Sequence, residues 1–397
     1  MQKLDKATVA TMLAGMCTFL NVYCTQPLLP LLRQIFQASE LAVSFTVSAT
    51  IFATALTAPV IGMIAERRGR KKVIVPSLFL LVIPTALAAT STSLRALIFW
   101  RFAQGLLVPG VIAVMLAYVN EEWAGRGVGH AMSAYVTGTV FGGFLGRFIS
   151  GVIATHWHWR ATFLVLACLN LIGAVMVRAW LPLARNFVPA EHLRQVVNHA
   201  QDHLRNPRLL ANFAMGATVL FALVGCFTYA NFYLAAAPFH LNSAQLGSIF
   251  FVYLLGVVIT PQSGWFMDRF GFRHTTILFC SMMIAGLLLT LVKSLPVVIA
   301  GLALFSSGVF VAQAAATVQT GAIAGRARSS AAGLYVTFYY LGGSAGATLT
   351  DWFWRWAAWP GCVALLGGVS LLSFRLARIS SRPSDQLDSE EIELVGD

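Results

Sequence analysis

Charge is scarce in this chain. Only 11% of its 397 residues are Asp, Glu, Lys or Arg, against 58% hydrophobic ones, where a soluble domain carries about 25% charged residues. So little polar surface excludes a dispersed water-soluble fold, and a mean hydropathy of +0.74 makes lipid the expected solvent. Carboxylates are scarcer still, leaving a net charge of +12. Paired cysteines are missing: Cys17, Cys24, Cys168, Cys226, Cys280 and Cys362 sit inside apolar stretches and none is spaced as CxxC. They read as small core- or lipid-facing residues, with no disulfide and no metal. GxSxG, HExxH and Walker motifs are absent, so neither an enzyme nor direct use of ATP is expected, and no cofactor. The basic residues form short clusters between apolar runs, without a basic stripe interleaved with aromatics, which argues against nucleic acid as a partner.

What is present is a series of apolar runs, each near the roughly 20 residues that cross a bilayer. They predict an all-α integral membrane protein with twelve spans, at roughly 8–31, 42–65, 73–93, 96–119, 128–153, 160–181, 209–235, 243–266, 275–292, 296–322, 329–352 and 357–377. The first does not read as a cleaved signal, because it is long and holds Asn21, Tyr23, Gln26 and Pro27. Lys and Arg between the spans fall 20 on one side, including Arg67 to Lys72, and 5 on the other: Arg33, Arg95, Arg160, Lys293 and Arg355. The positive-inside rule makes the first side cytoplasmic, with both termini inside. The polar stretch 183–208 suits a linker with an amphipathic helix on the membrane surface. It separates bundles of six spans at 1–182 and 209–378, and 379–397 reads as a disordered acidic tail.

The two parts repeat one another. Gly62-Met-Ile-Ala-Glu66-Arg67-Arg-Gly69-Arg70 is echoed 202 residues later by Gly264-Trp-Phe-Met-Asp268-Arg269-Phe-Gly271-Phe272. Tyr135-Val-Thr-Gly138, with Gly142, Gly143 and Gly146, is echoed 200 residues later by Tyr335-Val-Thr-Phe, with Gly342, Gly343 and Gly346. Repeats of this kind mark carriers built as pseudo-symmetric bundles around a central site. With these motifs the chain resembles the major facilitator superfamily over nearly its whole length, and within it the twelve-span drug:proton antiporter branch of bacterial efflux pumps.

The resemblance implies roles for particular residues. Gly62, Glu66, Arg67, Gly69 and Arg70, with the weaker copy Gly264, Asp268, Arg269 and Gly271, would form cytoplasmic gate loops. Glu66 would meet the start of span 11, around 328–331, where a helix N-terminus favours an anion, and Arg70 would pair with Glu121 or Glu122. Phe272 stands where Arg70 maps, so the copy would lack that pairing. The alternative is that these charges are only topogenic. Arg101 shares a helix face with Gln104 and Gly105, and the matching family pattern ties such an arginine to proton coupling; otherwise it snorkels to the outer interface. Gly142-Gly143 stands where the antiporter branch has Gly-Pro, and Gly146-Arg147 where it has Gly-Gly, so that signature is degraded.

Gly138, Gly142 and Gly146 at four-residue spacing predict close helix packing. Arg147 has Ala347 as its counterpart, so it is no symmetric feature. It is expected to receive an anionic group, to balance a carboxylate such as Asp351, or to snorkel outward. No mid-membrane acid is expected, with Glu40 and Asp351 near the outer boundary. That argues against a strictly cationic substrate. Asn21, Tyr23, Gln26, Tyr135, Tyr229, Asn231, Tyr233, Tyr253, Gln313, Gln319, Tyr335, Tyr339 and Tyr340 are candidates for the substrate pathway. Trp157, Trp159, Trp352, Trp354, Trp356 and Trp359 suggest an outer aromatic belt.

The expected function is secondary transport by alternating access, as proton-coupled efflux of a small amphipathic, neutral or anionic molecule. The expected site is a bacterial inner membrane, the state a monomer among lipids, and the driving force a proton gradient. The second expectation is uptake or facilitated movement of an organic anion. A non-transporting receptor or scaffold fits poorly, because the largest soluble piece is only about 25 residues.

Overall fold

A computed structural model describes residues 5–123, 127–183, 201–259, 262–324 and 328–381. Residues 184–200 of the expected linker (183–208) and most of the acidic tail (382–397) lie outside the described residues, as do the side chains of Glu66, Asp268, Arg328 and Ser329, while 201–205 of the linker are helical. Among the described residues the structure is helical, with no strand. The elements are α1 (Lys6–Val22), α2 (Leu29–Phe36), α3 (Glu40–Arg68), α4 (Lys71–Ala88), α5 (Leu94–Leu107), α6 (Pro109–Glu122), α7 (Val128–His156) and α8 (Trp159–Trp180). They continue with α9 (Pro207–Ala235), α10 (Ser243–Ile249), α11 (Tyr253–Ile259), α12 (Ser263–Leu289), α13 (Leu295–Ile323) and α14 (Arg328–Ser380).

Local chemistry sets these boundaries. Asp5, Ser39, Ser93 and Asn206 each accept a backbone N–H of the first turn that has no partner within the helix. Asn242 and Gln245 form a reciprocal capping box at the start of α10. Gly69 ends α3 with φ +90°, and Gly271, its repeat partner, kinks α12 with φ +73°. Both are backbone states that side chains disfavour. Hydrogen bonds from Thr8, side chain first and backbone second, hold the Asp5 carboxyl below its ordinary pKa of 3.8.

Among the described residues, ten stretches are long and apolar enough to cross a membrane. The expected span at 243–266 is described as a shorter apolar helix, Ser243–Gly256, with a 3₁₀ turn at Phe250–Val252 between α10 and α11. The last two expected spans run together in α14, where Ala357 and Ala358 leave helical geometry and mark a kink. Proline divides two other spans. Pro109 starts α6 directly behind α5, and Pro27 lies in the 3₁₀ turn Gln26–Leu28 between α1 and α2; proline lacks the N–H that a helix interior needs.

Packing repeats along with the sequence. A Cβ on Gly138, Gly142 or Gly146 would lie 2.1, 2.3 or 2.2 Å from the carbonyl oxygens of Met12, Met16 and Leu20. On Gly342 or Gly346 it would lie 2.0 or 2.3 Å from those of Ala217 and Phe221. So α7 lies backbone to backbone on α1, and α14 on α9. Apolar lipid supplies no hydrophobic drive for helices to associate, and close approach of small residues takes its place.

Elements before residue 183 meet those after 201 along a seam. Ser344 Oγ donates to Ser48 O at 3.2 Å, Gln26 Nε2 to Thr228 Oγ1 at 3.3 Å, and Ala244 N to Thr155 Oγ1 at 3.0 Å. Gly151 meets Ser243 O, where a Cβ would come within 2.2 Å. Among the described residues, three of these contacts lie just past the end of α1 and at the end of α7 remote from Val128, and Ser344–Ser48 lies farther in. The tryptophans correct the expected belt: Trp157, Trp352 and Trp356 are exposed, but Trp159 and Trp359 are buried. Trp359 Nε1 donates to Thr290 Oγ1 at 2.9 Å, and its ring stacks on Tyr233.

Candidate functional site

Arg101 lies in the interior, fully buried, which overturns snorkelling. α1 ends at Val22, ahead of Pro27, and Arg101 donates to carbonyls of its last turn. Its Nη1 donates to Asn21 O at 2.7 Å and its Nη2 to Val22 O at 2.6 Å, while its Nε donates to Thr46 O at 2.8 Å. Nη1 also donates to Gln104 Oε1. Gln104 Nε2 donates to Thr85 Oγ1 at 3.0 Å, and Thr85 Oγ1 donates to Asn21 Oδ1 at 3.2 Å. The ring of bonds ties α1, α3, α4 and α5 together around the break. A guanidinium with five N–H groups suits several carbonyls at once.

The break delivers Tyr23 and Gln26 to Arg147 on α7. Arg147 is 2% exposed, so it does not snorkel either. Its Nε donates to Gln26 Oε1 at 2.7 Å and its Nη1 to Gly143 O at 2.6 Å. Its guanidinium carbon stands 4.5 Å from the ring centres of Tyr23 and Phe250 and 4.9 Å from that of Tyr253, within cation–π range. Phe250 and Tyr253 lie across the seam, at the 3₁₀ turn between α10 and α11. Gly143 serves the arginine rather than helix packing: a Cβ there would lie 3.3 Å from Nη1.

The expected balance between Arg147 and Asp351 does not form. Asp351 pairs instead with Arg355 one turn on, at 2.5 Å, and accepts from Tyr229 Oη at 3.3 Å. Asp351, expected near the outer boundary, has no exposed surface. Among the described residues it is the one fully buried carboxylate. The i, i+4 spacing to Arg355 was the available signal. Of the other pathway candidates, Tyr229, Asn231, Tyr253, Tyr335, Tyr339 and Tyr340 are all buried, and so is Tyr135, whose hydroxyl donates to Ile112 O at 3.3 Å. Tyr335, Tyr339 and Tyr340 form a run of ring contacts. Asn231 Nδ2 turns back to Phe227 O, and Gln313 is only half-buried.

At the loop motif, Arg70 is bound to Glu121: Nη2 donates to Oε1 at 2.7 Å, and Nε reaches both carboxylate oxygens at 3.2 Å. Glu122 is half-buried beside it. Lys71 Nζ donates to the carbonyls of Arg178 and Leu181 and so caps the end of α8. Arg67 is exposed. Arg269 is exposed too, and lies over the rings of Trp265 and Phe270. The expected meeting of Glu66 with 328–331 and any partner of Asp268 lie outside the described residues, as does the burial of Gly264. Gly62 has no neighbour within 4 Å of a Cβ position. Thr46, Thr85, Thr228 and Phe250 were not singled out beforehand. Thr228, 202 residues after Gln26, was within reach of the repeat offset, but no motif marks the others.

Comparison with known proteins places this geometry. The family model described as "Major Facilitator Superfamily" matches residues 11–347 and, again, 225–394. The chain is 30% identical over 382 residues to an uncharacterized transporter of Buchnera aphidicola subsp. Schizaphis graminum, covering 95% of this chain and 92% of that protein. It is 33% identical over 371 residues to inner membrane transport protein YnfM of Escherichia coli, covering 92% and 89%. A bacterial homologue of the human lysosomal transporter Spinster, solved inward-facing and occupied, superposes with a TM-score of 0.76 at 13% identity, covering 94% and 95%. A break-bearing first helix, a glycine-packed repeat and a polar seam thus belong to a multi-pass membrane transporter rather than an enzyme, and the chain is a member of the Major Facilitator Superfamily.

Proposed function

We propose that the chain moves a small amphipathic molecule, neutral or anionic, out of a bacterial cell across the inner membrane, in exchange for protons. In this reading twelve crossings form two bundles, 1–182 and 209–378, and the chain works as a monomer with both termini cytoplasmic. The excess of Lys and Arg on the terminal side supports that orientation. The observation that supports alternating access is the seam: among the described residues the two parts meet at Gln26–Thr228, Thr155–Ala244 and Gly151–Ser243, beyond the end of α1 and at the end of α7 remote from Val128. Such contacts close one mouth, and they would part as the bundles rock and close the other. Arg70–Glu121 would steady one bundle during that motion.

Asp351 is the proposed proton carrier. A buried carboxylate with one salt-bridge partner and one tyrosine exchanges its charge for a proton when that partner moves away. Uptake or facilitated movement of an organic anion is the second reading, favoured by Arg355 already neutralising Asp351. Purified protein in liposomes, loaded with a panel of labelled solutes and given an imposed pH gradient, separates the two. Efflux by antiport predicts a flux that follows the gradient and is lost in Asp351→Asn. A flux indifferent to pH and retained in Asp351→Asn would overturn the proton claim.

A further inference from the structure

We infer that the Arg147 cage binds the anionic end of the transported molecule, and that this molecule is an organic monoanion, a carboxylate above all, carried on a flat aromatic or apolar body. The inference rests on the transporter reading and narrows its substrate. A guanidinium removed from water needs an opposite charge or a full set of acceptors. Arg147 has neither. Its two acceptors, Gln26 Oε1 and Gly143 O, are both neutral. The ionisable groups near enough to act on it are Tyr253, Tyr23 and Cys24, none of which is an acid of the Asp or Glu kind. Its Nη2 donates to nothing among the described residues. Arg101 is equally buried and likewise lacks a carboxylate, but its donors are spread over three carbonyls and Gln104. Of Arg101 and Arg147, Arg147 is the one left with capacity for a ligand.

The walls point the same way. Tyr23 and Tyr253 are buried, and among the described residues their hydroxyls make no hydrogen bond. Tyr339, in electrostatic range of both, also has an uncommitted hydroxyl. The unused polar groups around the cage are therefore N–H and O–H groups able to donate, and what they lack is an acceptor of negative charge. Ring faces make up the rest: Tyr23, Phe250 and Tyr253 surround the guanidinium, which suits a planar apolar body beside the anion. One guanidinium with one free edge fits a single charge better than a phosphate dianion. Phe250 and Tyr253 belong to the opposite side of the seam from Arg147. An anion bound here would touch both bundles and would be released when they part.

The test uses detergent-solubilised full-length protein and thermal unfolding with benzoate, 3-phenylpropionate, the neutral benzamide and the cation benzylamine as probes. A ligand that binds the folded state raises its melting temperature with concentration. Saturable stabilisation by one or both carboxylates is expected, with none from benzamide or benzylamine. Arg147→Gln is expected to weaken that binding by at least about tenfold, and Tyr253→Phe to weaken it less. If Arg147→Gln does not fold, Tyr253→Phe together with Tyr23→Phe carries the test. No stabilisation by either carboxylate, equal stabilisation by benzamide, or a carboxylate response unchanged in the variants would overturn the inference. Failure of the transporter reading looks different: carboxylate binding that depends on Arg147, with no flux of any solute in liposomes. Flux of neutral solutes only, unaffected by Arg147→Gln, leaves transport standing and removes the anion.

Discussion

The two repeated parts of this chain share a packing scheme and differ in charge. In the first, glycines let α7 lie on α1, and the interior holds two arginines, Arg101 and Arg147. In the second, glycines at the repeated positions let α14 lie on α9, but Ala347 replaces Arg147 and the buried charge is an acid, Asp351. Duplication preserved what holds helices together, and the charges diverged. Shared features therefore report on architecture and unshared ones on chemistry, an argument that fails if the unshared charges prove merely structural.

Arg101 is the place to break that argument first. Arg101→Leu removes charge-assisted hydrogen bonds to the carbonyls of Asn21, Val22 and Thr46, and bonds to a charged group contribute about 1.5–3 kcal/mol each. A loss of roughly 3 kcal/mol or more is expected, read as the largest drop in melting temperature of the variants named here. Its removal is an architectural injury as well as a chemical one, whereas Arg147→Gln should leave more of the stability intact.

The glycines sharpen the shared side. Gly146→Ala and Gly346→Ala place a methyl against backbone oxygen at 2.2 and 2.3 Å, and forced separation of this kind costs about 1–3 kcal/mol. Matching losses in thermal stability are expected from the two repeats. Gly62→Ala meets nothing within 4 Å and gains helix propensity, up to about 1 kcal/mol, so its shift should have the opposite sign. Unequal losses at Gly146 and Gly346 would show that the repeat does not extend to energetics.

Smaller effects separate the loops. Arg70→Ala removes a partly exposed pair with Glu121, worth about 1 kcal/mol or less, while Phe272→Ala in the second loop removes no ion pair at that position. A loss of salt sensitivity in the melting temperature is expected for the first variant alone. At the N-terminus, Asp5→Ala removes the cap of α1, for about 1 kcal/mol. The Asp5 carboxyl is held below its ordinary pKa, so its ionised form is favoured by folding. That contribution is complete above the unfolded value, near pH 4, and is lost as pH falls through the lowered folded value. The gap in melting temperature between wild type and Asp5→Asn should narrow in acid.

How far the sequence carries can be told from particular residues. Hydropathy and the 200–202-residue repeat were enough for an all-helical membrane fold, because lipid forces backbone polar groups to pair within each segment. The glycine spacing at 138, 142 and 146 announced close packing, since nothing larger fits. Arg147 and Asp351 were visible as oddities, but their partners were not. Arg147 meets Phe250 and Tyr253 through a turn more than 100 residues away, and periodicity carries no register between distant helices. For Arg101 the sequence left two readings open, burial and an exit to the outer interface. A position one turn into a span suggests an exit to water, and carbonyls of the last turn of α1, ahead of Pro27, help to hold it inside.

The motion about the seam is the claim everything else leans on, and a reversible cross-link tests it most directly. Thr155→Cys with Ala244→Cys, in a background with the six native cysteines replaced, joins the parts where Ala244 N meets Thr155 Oγ1 at 3.0 Å. If transport needs the seam to open, oxidation should stop flux in liposomes and reduction should restore it. Undiminished flux with the link fully formed would contradict the account.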